Sequence, residues 1–325
     1  MDDPLTPARP ASRPSAALHL STAQPLSGTT GANARSLTLR SVSSQMLPLL
    51  FGPPRVLHVV AAYPRAVYLT DGSRWISLVA PGSLLPPDGI ELAVGDDLTA
   101  RCPSGALLGI GRGCIHLPDG TRTRPTPRTR IWIPTLPHRG QSPPRVQRVA
   151  HALLRALPPR PAVDDPLLER ALSRLLTTHC RLIRCLRARR DEEAIVQAAA
   201  LGGLGPGLTP LGDDILAGTL LALRLCEPDF PASLRLALAE AAAARTTARS
   251  ASWLLWAGQG AFARDYLVLA RTLLRNDQRR ASAVLQRVLG IGSTSGWGVA
   301  YGLLSTASAA TALDYTGTAD PPAPS

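Results

Sequence analysis

The spacing of apolar residues changes near residue 145, and this change constrains the fold more than any other feature of the sequence. Before it, apolar residues form short runs, such as residues 55–62 and 75–79, separated by turns rich in Gly, Pro and Asp. Such runs are typical of β-strands. After it, apolar residues recur every three to four positions, as in amphipathic helices. The sequence therefore predicts an α+β chain, in which a small N-terminal β-rich domain, barrel- or sandwich-like, precedes a larger all-helical domain.

The composition along the chain predicts where these domains begin and end. The first residues are rich in Ser, Pro, Ala and Thr, and the last ones in Pro. Such segments do not bury enough apolar surface to fold. We expect a disordered N-terminal extension at 1–50, a β-rich domain at 51–136, a linker at 137–147, a helical domain with glycine-rich motifs at 148–312 and a disordered tail at 313–325.

The charged residues and cysteines exclude several classes of function. All 35 basic residues are arginine, so no lysine forms a Schiff base or completes a phosphate-binding G-x-x-x-x-G-K-[ST] loop. The net charge is +12, but the arginines are scattered and aromatics make up only 4%, which argues against nucleic acid as the partner. The five cysteines form no C-x-x-C pair. With no apolar run long enough to span a membrane and no secretory signal, we expect a cytoplasmic protein with no membrane segment.

A glycine-rich segment at residues 201–218 is the most informative part of the sequence. Five glycines within 202–212 predict a loop, because so many glycines disfavour a helix. Thr209 then suits the N-cap of a helix, and Pro210 suits its first position. The residues that follow, 215–225, are apolar on nearly every side. The sequence therefore predicts a glycine loop that leads directly into a buried helix.

The start of this helix is a candidate anion site. Backbone N–H groups at a helix N-terminus have no partner within the helix, and the helix dipole favours negative charge there. We therefore predict substrate contacts from the loop and first turn, namely Gly203, Gly205, Gly207, Thr209 and Gly212.

Two aspartates follow at once, Asp213 and Asp214. One interpretation is that they only complement the helix dipole, which stabilises by about 0.3–1 kcal/mol each. The dipole effect needs neither a buried helix nor five glycines, so we favour a second interpretation in which both are catalytic. A third keeps them as ligands of a Mg²⁺ ion that bridges to a phosphate. No other cofactor is expected.

A second glycine-rich junction lies at residues 290–302, where Thr294 or Ser295 is placed to cap a further helix. Its hydroxyls suggest more substrate contacts, and two helix N-termini would then face one ligand. Between the junctions, Arg245 and Arg249 are four residues apart in a helical stretch and so share a face. The predicted contacts from these two segments are Ser293, Thr294, Ser295, Gly296, Arg245 and Arg249.

These motifs resemble the AllH-like subunits of oxamate carbamoyltransferase, a family first known as a domain of unknown function. The similar stretches are G-L-G-P-G-L-T-P-L-G-D-D at 203–214 and G-S-T-S-G-W at 292–297, together with the segments 71–78 and 87–92. The resemblance covers residues 53–310. The chain departs from the family pattern at Leu211, Ser293 and Gly298, where the family has a small hydroxyl residue, His and Asp.

The resemblance implies a function. The family's reaction is the phosphorolysis of oxalurate to oxamate and carbamoyl phosphate in allantoin (purine) catabolism, a transferase activity that requires partner subunits. The small anionic substrates would be phosphate or carbamoyl phosphate and oxamate or oxalurate. The three departures leave open a different role, that of a non-catalytic ligand-binding or scaffold subunit. A basic nucleic-acid binder is a third hypothesis, with steeply salt-dependent retention on DNA as its test.

Overall fold

The computed structural model describes residues 36–94, 97–137, 143–160, 166–227 and 229–310. Over these ranges a β-barrel is followed by a group of helices, which confirms the predicted α+β fold. The expected tail at 313–325, residues 1–35 of the expected extension and residues 138–142 of the expected linker lie outside the described residues.

The barrel is closed. Its strands, in chain order, are β1 (Ser36–Ser43), β2 (Arg55–Tyr63), β3 (Ala66–Thr70), β4 (Trp75–Val79), β5 (Gly89–Leu92), β6 (Leu107–Gly111), β7 (Cys114–His116), β8 (Arg122–Arg124) and β9 (Arg130–Trp132). Eight of these described strands form a ring, β1-β5-β4-β3-β2-β6-β7-β8, because β1 pairs with both β5 and β8. The last strand, β9, runs parallel to the second half of β1. Inward residues such as Leu57, Leu69 and Ile76 are fully buried and fill the interior.

The strand that closes the ring lies before residue 51, where we placed the start of the β-rich domain. Leu39 and Val42 of β1 are buried, and they pair with Leu92 and Ile90 of β5. Leu39 and Val42 are three residues apart, and a register shift in the pairing between Leu39 and Ser41 allows both to be buried. The barrel thus begins at Ser36, within the segment we expected to be disordered, and residues 143–147 of the expected linker belong to a helix.

Two short helices belong to the barrel region and nine longer ones follow it in the described part of the chain. They are α1 (Leu47–Phe51), α2 (Leu98–Arg101), α3 (Pro143–Arg155), α4 (Pro166–Arg187), α5 (Asp191–Leu201), α6 (Leu211–Cys226), α7 (Ala232–Ala243), α8 (Ala248–Gly258), α9 (Arg264–Leu274), α10 (Gln278–Leu289) and α11 (Ser295–Ala309). Helix α6 is central, since all of its residues except Arg224 are buried. Among the described residues, no helix combines the length and hydropathy that crossing a bilayer requires.

Helices α6 and α11 approach each other closely through glycines. A methyl group on Gly218 would collide with the Val299 carbonyl and lie 2.7 Å from the Leu303 amide nitrogen. One on Gly302 would collide with the Ile215 carbonyl. Such distances leave no space for a side chain. The glycines of both helices therefore set the spacing of the helix pair that carries the two glycine-rich junctions.

Buried polar contacts join the barrel to the helices. Arg249 of α8 forms an ion pair with Asp88, just before β5, and donates to Ser77 Oγ of β4 at 3.0 Å. Both members of the ion pair are buried. At the start of α9, Arg264 pairs with Glu91 of β5 at 3.0 Å. Because a buried charge is costly without its partner, these pairs hold the helices in one orientation on the barrel.

Candidate functional site

The glycine loop between α5 and α6 is shaped by close backbone packing. Gly203, Gly205 and Gly207 have φ values of 75°, 116° and 96°, which side chains disfavour. A methyl group on Gly203 would collide with the Arg245 carbonyl, and one on Gly205 would lie 2.8 Å from a backbone nitrogen. A methyl group on Gly207 meets nothing within 4 Å. Most of the loop glycines are thus required by packing, and Gly207 only by its backbone conformation.

The first turn of α6 differs from the prediction. Pro210, and not Thr209, is the N-cap residue, and no side chain caps the helix. The Gly212 N–H donates to the Leu204 carbonyl at 2.8 Å, and the N–H groups of both aspartates donate to the Pro210 carbonyl. Gly212 also lies too close to the Leu201 carbonyl to carry a side chain. These three N–H groups are therefore occupied, and a bound anion would not find them free.

Asp213 is surrounded by hydrogen-bond donors. Its Oδ1 accepts from the Gly203 N–H at 2.9 Å, and its Oδ2 accepts from the hydroxyls of Ser250, at 2.6 Å, and Thr246. Burial raises the pKa of Asp213, while these three donors act in the opposite direction. Asp213 ties the glycine loop, the turn before α8 and α8 itself to the start of α6, so its geometry is that of a structural residue.

Asp214 has the opposite environment. It is 2% exposed, and its Oδ2 has no hydrogen-bond partner among the residues that the structure describes. Burial raises the pKa of Asp214 well above its ordinary value, a hydrogen bond with Ser295 lowers it, and the Asp213 charge raises it. Burial thus favours the neutral, protonated form of this carboxyl group, which makes Asp214 a candidate proton donor. An unpartnered buried carboxyl group of this kind is a marker of functional sites.

The two glycine-rich junctions meet at a pair of hydroxyls. Thr209 Oγ1 and Ser295 Oγ are 2.9 Å apart, and the Ser295 side chain also bonds to Asp214. Both hydroxyl residues are half-buried, whereas Asp214 lies behind them. We call these three residues the hydroxyl–acid cluster. A ligand at the surface would contact the two hydroxyls directly. It would reach the carboxylic acid only indirectly, through the hydrogen bond between Ser295 and Asp214.

The other residues of the second junction take different places. Ser293 is exposed, and Thr294 is the N-cap of α11 without a capping hydrogen bond from its side chain. A methyl group on Gly296 would collide with the Val288 carbonyl, and one on Gly298 would lie 2.8 Å from Cβ of Asp214. The Asp that the family resemblance implies at position 298 would thus require a different position for Asp214.

The two candidate arginines differ in burial and in their partners. Arg245 is exposed at the end of α7. Arg249 is 6% exposed, ion-paired with Asp88, and its guanidinium carbon lies 4.8 Å from the centre of the Tyr68 ring. Its charge is therefore already matched within the protein, so it joins the helices to the barrel and is not a free anion clamp.

Sequence analysis missed several residues of this region. Thr246 and Ser250 lie in the polar stretch where only the arginines drew attention. Asp88 follows two prolines and precedes a glycine, a pattern that predicts a turn and nothing more. Tyr266 of α9 is 1% exposed; burial, and then the nearby Asp214 among other groups, raise its pKa. No local signal in the sequence indicates that this tyrosine lies close to Asp214.

The two aspartates offer few free oxygens to a Mg²⁺ ion. Both oxygens of Asp213 already accept hydrogen bonds, which leaves Asp214 Oδ2 as the free carboxylate oxygen of the pair. Over the described ranges, no group of three or more His, Cys, Asp or Glu side chains is placed to hold a metal ion. A Mg²⁺ ion usually binds through one or two carboxylates together with waters and substrate phosphates, so Asp214 Oδ2 is the oxygen of this pair that could serve as a ligand.

Comparison with protein-family models gives a match for this region. No solved structure matches the chain. The helices α6 to α10, most of α11, the loop before α6 and both glycine-rich junctions fall within a single stretch. That stretch, residues 201–307, matches the family model of the oxamate carbamoyltransferase subunit AllH.

Proposed function

We propose that this chain is a subunit of an oxamate carbamoyltransferase-type complex that acts in the cytoplasm and converts oxalurate and phosphate into oxamate and carbamoyl phosphate. The match of residues 201–307 to the subunit family supports this proposal. The observation that carries it is the hydroxyl–acid cluster, because it joins the two junctions of the matched stretch around a buried carboxylic acid with one unpartnered oxygen. In this proposal Thr209 and Ser295 contact the substrate.

The chemistry of the reaction suits a neutral acid. A phosphate oxygen attacks the carbamoyl carbon of oxalurate, the bond from that carbon to the oxamate nitrogen breaks, and the nitrogen must gain a proton to leave. Asp214 would donate this proton through Ser295 and recover the one that hydrogen phosphate loses. General acid catalysis of this kind contributes about 10²–10⁴-fold to a rate. The proton count balances without a metal ion or another cofactor.

Partner subunits would supply the positive charge. Phosphate and oxamate are anions, and a carbamoyl-transfer site needs donors or cations aimed at the oxygen where charge develops. In this chain Arg249 is paired with Asp88, and three first-turn N–H groups of α6 are occupied. We therefore infer that arginines or a helix N-terminus of another subunit complete the site, in keeping with the word subunit in the family's description.

The experiment uses the complex captured with an affinity tag from cells that produce this protein. Carbamoyl phosphate formation from oxalurate and phosphate is measured for the wild type, Asp214→Asn and Ser295→Ala. We expect both variants to remain in the complex and to lose at least about 100-fold in rate. The exposed control Ser293→Ala should keep wild-type activity. Full activity in both cluster variants would refute the catalytic role.

One observation favours a second function, that of a non-catalytic scaffold subunit. Gly203, Gly212, Gly218 and Gly302 all lie against backbone atoms, so packing alone explains them. A scaffold would keep the complex fully active in Asp214→Asn, whereas Gly218→Ala would dissociate it. The same preparation separates the two functions, because subunit composition and activity are both read from it.

A further inference from the structure

A cleft near the C-terminal end of α6 contains two arginines that form no ion pair with a carboxylate of the described residues. Its volume is about 320 Å³, and it lies between Arg224 of α6, Arg235 of α7, Gln259 and Gly260 after α8, and Thr135 after β9. Arg224 lies ten residues, or about 15 Å along the helix axis, from Asp214. The cleft is therefore separate from the hydroxyl–acid cluster.

Arg235 is the more deeply placed of the two. It is 8% exposed, and its Nε donates to the Gly258 carbonyl at 3.0 Å, which fixes the direction of the guanidinium group. In the described part of the chain, its two terminal nitrogens have neither a hydrogen bond nor an ion pair. Burial, and then the charge of Arg224, lower the pKa of Arg235. The side chain is thus held in place with its donors unused.

Arg224 and Arg235 both lie close to Gly260. A methyl group on Gly260 would lie 3.8 Å from Nε of Arg224 and 4.0 Å from a terminal nitrogen of Arg235. Arg224 likewise forms no ion pair with any residue that the structure describes. Gly260 leaves the space between the two guanidinium groups free of a side chain. A third arginine, Arg271, donates to the Thr135 carbonyl at 3.4 Å at the edge of the cleft.

We propose that this cleft binds a small oxyanion, a phosphate or carboxylate group held between Arg224 and Arg235. Two like charges side by side, one of them buried, are unfavourable unless an anion offsets them. Guanidinium groups match phosphate and carboxylate oxygens with paired N–H donors. Gln259 and Thr135 add neutral polar groups to the wall. The inference goes beyond the proposed function and does not depend on it.

Calorimetric titration of the purified full chain tests the proposal, with inorganic phosphate in one arm and oxalate in the other at constant ionic strength. The two arms tell a phosphate site from a carboxylate site. The variant Arg224→Gln removes one charge without breaking a hydrogen bond within the described protein. We expect it to raise the dissociation constant about tenfold or more, the effect of losing one charge-assisted contact. The exposed control Arg279→Gln should bind like the wild type.

Two further variants make the result decisive. Arg235→Gln should weaken binding at least as much as Arg224→Gln, with circular dichroism as the check on folding. Ser295→Ala reports whether the ion binds at the hydroxyl–acid cluster instead of the cleft. Equal binding by the wild type, Arg224→Gln and Arg279→Gln would overturn the proposal, as would no binding at all. Binding lost only in Ser295→Ala would also overturn it, since the ion would then occupy the other site.

Discussion

The variant Asp214→Asn should change how the stability of the protein depends on pH. Asparagine has nearly the same shape as the protonated acid and retains a hydrogen bond to Ser295, so the packing around the cluster is preserved. Asn does not titrate, whereas the pKa of Asp214 is raised well above its ordinary value of 3.8 by burial. The substitution therefore removes one titration and little else.

The sign and size of the effect follow from proton binding. Below pH 3.8, Asp214 is protonated in both the folded and the unfolded chain. Above it, the unfolded chain loses this proton while the folded chain keeps it, so the wild type loses stability by about 1.4 kcal/mol per pH unit until the folded pKa is reached. The variant lacks this loss. Its stability relative to the wild type should rise by up to about 2.7 kcal/mol over two pH units.

Urea unfolding between pH 4.5 and 7.5 measures the difference directly. Asp213 is present in both proteins, so its own titration cancels to a first approximation. The variant Asp229→Asn is the matched control, because it makes the same chemical change at an exposed position. Parallel curves for Asp214→Asn and the wild type would refute the argument, since Asp214 would then ionise alike in the folded and unfolded chains.

Three more predictions concern stability and are measured by urea unfolding at fixed pH. Gly218→Ala forces a methyl group against a backbone carbonyl of α11 and should lower the free energy of unfolding by about 3 kcal/mol. Gly207→Ala meets no atom and should lower it by about 1–2 kcal/mol, because the residue has a left-handed backbone conformation. Equal losses in the two variants would contradict the close approach of the helices. Arg249→Ala leaves Asp88 buried without a cation and should cost about 3–5 kcal/mol, and a loss below about 1 kcal/mol would mean that water reaches the pair. Asp213→Ala removes the acceptor of three hydrogen bonds and should cost about 3 kcal/mol, so an unchanged midpoint would exclude its structural role.

The α+β fold was predictable because its signals are local. Alternating apolar residues around the Asp-Gly turn at 71–72 predict the hairpin of β3 and β4, and helical spacing predicts the later helices. Strand β1 was not predicted, because its partners are distant in sequence: Leu39 pairs with Leu92, and Leu37 with Thr123. Its few apolar residues follow a segment of disordered composition, so only the closed ring identifies it as a strand.

The site was predictable in its location and less so in its details. The glycines correctly indicate a special junction, but the sequence does not distinguish a glycine that admits an anion from one that admits a neighbouring backbone. Asp213 and Asp214 are adjacent and chemically alike, yet one is saturated with donors and the other has a free oxygen. Arg249 meets Asp88 across 161 residues of sequence, a contact that no local pattern indicates.

The place of β1 in the ring determines what a shortened chain would expose. A protein translated from Met46 instead of an earlier codon would lack this strand, and the main-chain groups of β5, β8 and β9 that pair with it would lose their partner. Open sheet edges of this kind recruit strands from other molecules and promote aggregation. For recombinant production, the segment with the composition of a disordered extension must therefore be kept from Ser36 onward, since poor solubility of a truncated version would reflect an opened barrel.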